Sequence, residues 1–218
     1  MSPETEEPDN YKIKIEESEI YEGQNIILLK LKYDHSELTF KIFKHIDFRF
    51  LIEIDSKSLT VRKTYAEEIL LRLESNINNN VKVEGLELEQ PEFYTDTNGL
   101  LMMKRIKDHR LGWKWKNDEP VSSNFYPVNY AISLQDTKTQ IKGISKTITI
   151  FNDRSQSGGA MKAGELMLDF NRSTRSVDYR GLNESPCEEQ SCNIPFKVKH
   201  WLAVSNNFNK VKMNGLIN

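Results

Sequence analysis

Long apolar runs are missing from this chain of 218 residues. Nothing in it approaches the roughly 20 consecutive apolar residues of a membrane-crossing helix, so no membrane span is expected. An excess of one charge sign is missing too. Lys plus Arg number 30 against 32 Asp plus Glu, with both signs interspersed. That balance offers no electrostatic reason to expect a nucleic acid or an anionic membrane as partner. Cysteine is scarce, with only Cys187 and Cys192. Their spacing fits neither a zinc knuckle nor a thioredoxin motif. A short-loop disulfide between them and a pair of free thiols both stay open.

Several catalytic signatures are also absent. The four histidines, His35, His45, His109 and His200, lie far apart in sequence, so no metal centre is expected within the chain. There is no G-x-S-x-G and no Walker or dinucleotide glycine pattern. Thirty-two acidic residues supply many chance carboxylate pairs, and spacing selects no pair for glycosidic chemistry. The start, residues 1–10, is acidic and carries two prolines. It lacks the basic-then-apolar pattern of a secretory signal and reads as a disordered leader. If the protein works in a lumen, its signal is expected outside these residues.

What is present is a succession of short alternating runs bounded by turn residues, the pattern of an antiparallel β-sandwich. Tyr11–Ile15, Ile26–Tyr33, Leu38–Ile42, Phe48–Ile54, Val81–Val83, Leu100–Ile106, Tyr130–Leu134, Lys146–Phe151, Glu165–Phe170 and Phe196–Val204 read as strands. Turns are expected at Glu22–Asn25, Asn78–Asn80, Ser157–Gly159 and Glu184–Pro186. Tyr65–Asn76 is the exception. Its stripe at Ala66, Ile69, Leu70 and Leu73 has helical spacing, while its neighbours are all strands, so helix and strand both stay open. Residues 11–218 are read as one sandwich segment.

Polar words punctuate the apolar runs between Phe93 and Gly181, and loops of this composition suit sugars. Pyranose faces stack on aromatic rings, and hydroxyls pair with amides, carboxylates and guanidiniums. Trp113, Trp115, Phe125 and Tyr126 lie close in sequence to Asp118, Glu119, Asn124 and Asn129. The two tryptophans, at strand spacing, suit cross-strand packing equally well. Tyr126 sits between Asn124 and Pro127, and the proline excludes a central strand there. Asn171 and Asn183 each open an N-x-S triplet and are candidate glycosylation sites.

The words then fall into a familiar order. FYTDTNG spans Phe93–Gly99, followed by the basic run Lys104–Arg110, Trp113 and Glu119-Pro120-Val121. NFYPVN follows at Asn124–Asn129, NDRSQSGG at Asn152–Gly159, a Gly-Glu-Leu at Gly164–Leu166 and DYRG at Asp178–Gly181. This set resembles the β-sandwich region of glycoside hydrolase family 38, the zinc-dependent α-mannosidases. Asp108-His109-Arg110, Trp113 and the Glu119-Pro120-Val121 lead resemble the lysosomal type.

The resemblance implies a mainly β fold of the galactose mutarotase-like super-sandwich kind, incomplete in this segment, and favours strand for Tyr65–Asn76. It implies removal of α-linked mannose from glycans, with retention, through a covalent mannosyl-enzyme. The nucleophile and zinc ligands are expected in an N-terminal α/β domain, so none is carried over here, and the 218 residues alone are expected to be inactive. That domain and a mannose-containing glycan are the partners implied, in a lysosomal or vacuolar lumen. Tyr126 and Arg180 match the positions that approach the sugar, Tyr126 as a hydroxyl donor to the zinc-bound mannose and Arg180 as part of the pocket wall. The family usually has two aspartates before that arginine, where this chain has Val177 and then Asp178. Asp153 and Arg154 are expected to hold a turn. Two other readings remain: a carbohydrate-binding module without catalysis, and a truncated product with exposed sheet edges.

Overall fold

The computed structural model describes residues 15–33, 36–43, 50–59, 68–110, 112–113, 117–138, 145–172 and 196–205. Within them lie fourteen strands and one 3-10 turn, Ser122–Asn124. The strands are β1 (Glu17–Glu22), β2 (Ile26–Tyr33), β3 (Ser36–Phe43), β4 (Phe50–Leu59), β5 (Glu68–Glu74), β6 (Asn80–Val81) and β7 (Gln90–Thr97). They continue as β8 (Leu101–Ile106), β9 (Tyr126–Val128), β10 (Ala131–Gln135), β11 (Thr147–Asn152), β12 (Gln156–Gly159), β13 (Glu165–Arg172) and β14 (Phe196–Ser205). Every pairing is antiparallel.

Two unequal sheets result. The larger runs β1-β2-β3-β4-β14-β11-β10-β7-β6, with β8 also paired to β7, and the smaller runs β5-β13-β12-β9. Alternation explains how they meet. On β10, Ile132 and Leu134 point one way, in register with Ile150 and Ile148 on β11 and then Leu202 and Val204 on β14. These side chains pack against Leu166 and Leu168 of β13, Val128 of β9 and Leu71 and Leu73 of β5. Each fully buried aliphatic side chain contributes about 1.5–3 kcal/mol. The opposite face of the larger sheet carries a smaller cluster of Ala131, Phe151 and Ala203 against Met102, Tyr130 and Trp201.

The antiparallel sandwich expected from alternation is the observed fold. The described part of the ambiguous stretch, from Glu68 onward, holds strand β5, whose inward side chains are Ile69, Leu71 and Leu73 while Leu70 is exposed. Pairing with β13 overrides the helical stripe. The polar words, expected on loops, contain three strands. Phe93–Thr97 lies within β7, Tyr126–Val128 is β9, and the expected Ser157–Gly159 turn is part of β12. Pro127 is tolerated because β9 is the edge of its sheet. Gly158 and Gly159 stay in a strand because neighbouring backbone leaves no room for a side chain. A Cβ on Gly158 falls 2.8 Å from the Met167 carbonyl oxygen, and one on Gly159 falls 2.5 Å from that of Asn124. The FYTDTNG word ends in a tight hairpin, with Asn98 at φ 50° and Gly99 at φ 72° joining β7 to β8.

Candidate functional site

Tyr126 opens β9 and stands opposite Gly158. It is 7% exposed, within the main core cluster. Phe93 of β7 meets its ring edge-on, with centroids 5.7 Å apart at 66°. Two guanidinium groups lie over the same ring, those of Arg105 and Arg110, each 4.4 Å from its centroid. Arg105 stands opposite Phe93 in the β7–β8 register, so both share the face that meets Tyr126. Its Nε donates to the Thr95 hydroxyl at 3.1 Å. Arg110 donates through Nη2 to the Ser123 carbonyl oxygen at 2.6 Å. Burial lowers the pKa of both guanidiniums. At Arg110 the Arg105 charge adds to the effect and Asp108 opposes it. Among the described residues no side chain hydrogen-bonds the Tyr126 hydroxyl, and that oxygen is not among the buried polar atoms left without a partner.

A buried latch sets this geometry. Asn124, fully buried, accepts from the Asp108 backbone N–H at 2.8 Å and donates to the Asp108 carboxylate at 2.7 Å. Asn124 also donates to the Pro120 carbonyl oxygen at 3.0 Å. Asp108 sits at φ 55°, a left-handed conformation that Asp tolerates better than most residues. Lys107 Nζ lies 2.5 Å from its Oδ2, and Asn117 donates to its Oδ1. Burial works to raise the Asp108 pKa, but the hydrogen bonds from Lys107, Asn124 and Asn117 outweigh it and hold the carboxyl below its usual range. Arg110 follows Asp108 by two positions, and Tyr126 follows Asn124 by two. One latch therefore places both partners of the ring contact.

Other polar words brace the backbone. Asp96 accepts from the N–H groups of Gly99, Tyr130 and Ala131 at 2.7, 2.8 and 3.0 Å. Asn152 donates to the carbonyl oxygens of Val128 and Arg154. Asp153 and Arg154 bond each other, and Arg154 reaches the Lys197 carbonyl oxygen, as expected of a pair that holds a turn. A second buried polar group lies on β14, where fully buried His200 stacks on Phe170 at 4.6 Å and bonds Gln156 through Nε2 at 2.8 Å. Burial pushes its pKa down to about 4; Asp153 opposes the shift and Arg154 reinforces it.

Of the residues that the resemblance placed at the sugar, only Tyr126 is described. Asp178, Arg180, Cys187, Cys192 and Asn183 lie outside the described residues, as do Tyr11–Lys14 and Trp115. Asn171 has a described backbone, at an irregularity of the β13–β5 register. Trp113 is 73% exposed, so it is not the packing residue its spacing allowed. Sequence reasoning named the basic run but did not single out Arg105 and Arg110. The alternation of β8 against β7, which faces Arg105 with Phe93, was the available signal for the first. The second depends on the latch, which no local pattern reveals. Among the described residues no three His, Cys, Asp or Glu side chains are grouped as a metal site.

Comparison with known proteins agrees with the order of the words. Residues 3–180 match the model for the glycosyl hydrolases family 38 C-terminal domain. A probable α-mannosidase of Arabidopsis thaliana is 36% identical over 97 residues, 44% of this chain and 9% of that protein. The α-mannosidase of Canavalia ensiformis is 32% identical over 126 residues, 58% of this chain and 11% of that protein. The lysosomal α-mannosidase of Homo sapiens is 32% identical over 133 residues, 61% of this chain and 12% of that protein. The chain thus spans about a tenth of the length of the curated relatives it matches. It belongs to the glycosyl hydrolases family 38, as a C-terminal β-sandwich domain.

Proposed function

We propose that this domain forms one wall of an α-mannosidase site and supplies sugar contacts rather than the bond-breaking groups. The observation that carries the reading is Tyr126, whose ring is contacted by Phe93, Arg105 and Arg110 while no described side chain hydrogen-bonds its hydroxyl. A held ring with a free hydroxyl suits donation to a sugar oxygen at little entropic cost. Arg180 and Asp178 complete the proposed wall. The substrate is a terminal α-linked mannose on a glycan, and the lumen of a lysosome or vacuole is the proposed setting. Zinc and the nucleophile of a retaining reaction belong, in this reading, to a catalytic domain beyond these 218 residues.

Turnover of an aryl α-mannoside with added zinc tests where the chemistry resides. The 218 residues alone are expected to release no product. Robust turnover overturns the reading. Tyr126→Phe and Arg180→Ala are expected to weaken mannoside binding without altering the fold.

A further inference from the structure

We infer that Arg105 and Arg110 are positioning residues for Tyr126, acting on its ring rather than on the sugar. The inference rests on the reading that Tyr126 contacts mannose. Three observations carry it. Both guanidinium carbons lie 4.4 Å from the ring centroid, within the range where a cation is attracted by the ring quadrupole. Each arginine is tethered from behind, Arg105 by the Thr95 hydroxyl at 3.1 Å and Arg110 by the Ser123 carbonyl oxygen at 2.6 Å. And β9, an edge strand of three residues beside β12, gives the tyrosine little backbone support of its own.

The chemistry follows from the side-chain types. A planar guanidinium stacks on an aromatic face where a lysine ammonium does not. Two such groups, with Phe93 in T-shaped contact, restrict the ring and, among the described residues, leave its hydroxyl without a side-chain partner. They also draw on the ring's electron density, which makes the hydroxyl a stronger hydrogen-bond donor. The Asp108–Asn124 latch keeps Arg110 and Tyr126 in step, because each lies two positions beyond its latch residue.

The test labels the chain with tyrosine carrying 13C at the ring ζ carbon and identifies the Tyr126 signal among the eight tyrosines by its loss in Tyr126→Phe. Arg105→Gln and Arg110→Gln are expected to shift and broaden that signal alone. Arg110→Lys is expected to restore it only in part. Methyl α-mannoside affinity is measured in parallel. Each Gln variant is expected to lose about two- to fivefold, and to lose nothing further in the Tyr126→Phe background. A Tyr126 signal unmoved by both Gln variants overturns the positioning role. So does an affinity loss that persists in the Tyr126→Phe background, since the arginine then contacts sugar directly. A moved signal with mannoside affinity insensitive to Tyr126→Phe overturns the reading beneath, and leaves the ring contact standing.

Discussion

The β1–β4 meander and the surroundings of Tyr126 are built on opposite plans. In the meander, consecutive strands pair in order, and the polar contacts include exposed ion pairs such as Lys32–Glu17 at 2.7 Å and Lys30–Glu19 at 3.8 Å. β1 is exposed along its whole length. Around Tyr126, groups distant in sequence converge on buried polar side chains: Asn124 on Asp108, Asp96 on Tyr130 and Ala131, and Asn79 on Glu92 and Gly164. Solvent competes for the contacts of the first region. Those of the second leave unsatisfied groups in the interior when broken. A sequence rich in Asn, Asp and Gly here therefore signals internal bracing more than a sugar-reading surface.

That contrast can be broken from the strong side first. Gly159→Val drives a side chain into the Asn124 carbonyl oxygen, with only 2.5 Å available for Cβ. A loss of about 3 kcal/mol is expected in urea unfolding. A loss near zero means that β12 moves freely and the packing argument fails.

His200 gives the next largest effect, and it depends on pH. Its folded pKa, about 4, lies below the usual 6.5. Above pH 6.5 both folded and unfolded states hold it neutral and nothing is lost. As pH falls through 6.5 the unfolded state binds a proton and the folded state does not, so stability drops until about pH 4. The total is roughly 2–3 kcal/mol. His200→Gln is expected to remove most of that acid dependence. An unchanged pH profile contradicts a buried neutral imidazole.

Asn124→Ala is expected to cost about 2 kcal/mol, since the Asp108 carboxylate and its backbone N–H both lose a partner. It should also shrink the contribution of Asp108. That carboxyl titrates below its ordinary 3.8 in the fold. Its stabilisation is present above that pH and is lost as pH falls further. Midpoints measured at pH 3 and pH 7 test this. At the weak end, Lys32→Ala removes the exposed pair with Glu17 and should leave the unfolding midpoint unchanged. A clear destabilisation there erases the contrast between the two regions.

Within the meander β2 and β3 were legible because they alternate, while β1 was not among the expected strands. Ile26–Tyr33 matches β2 residue for residue, and Leu38–Ile42 lies within β3. Strands β7, β9 and β12 were not read as such, because their signal is not apolar alternation. β9 carries a proline at a sheet edge, and β12 ends in two glycines packed against foreign backbone. What makes them strands is their partners, which propensity does not contain. For the site, the motif named Tyr126, while Arg105 was missed because its place depends on the register of β8 against the unread strand β7. Arg110 was missed as well, because its place depends on a hydrogen bond between residues sixteen apart.

Mannoside affinity of the intact chain against its Tyr126→Phe variant tests the central claim most directly. Removing one hydroxyl while keeping the ring, its arginines and Phe93 is expected to weaken methyl α-mannoside binding about fivefold at unchanged thermal stability. Equal affinities for the two proteins contradict the claim that this wall reads the sugar through Tyr126.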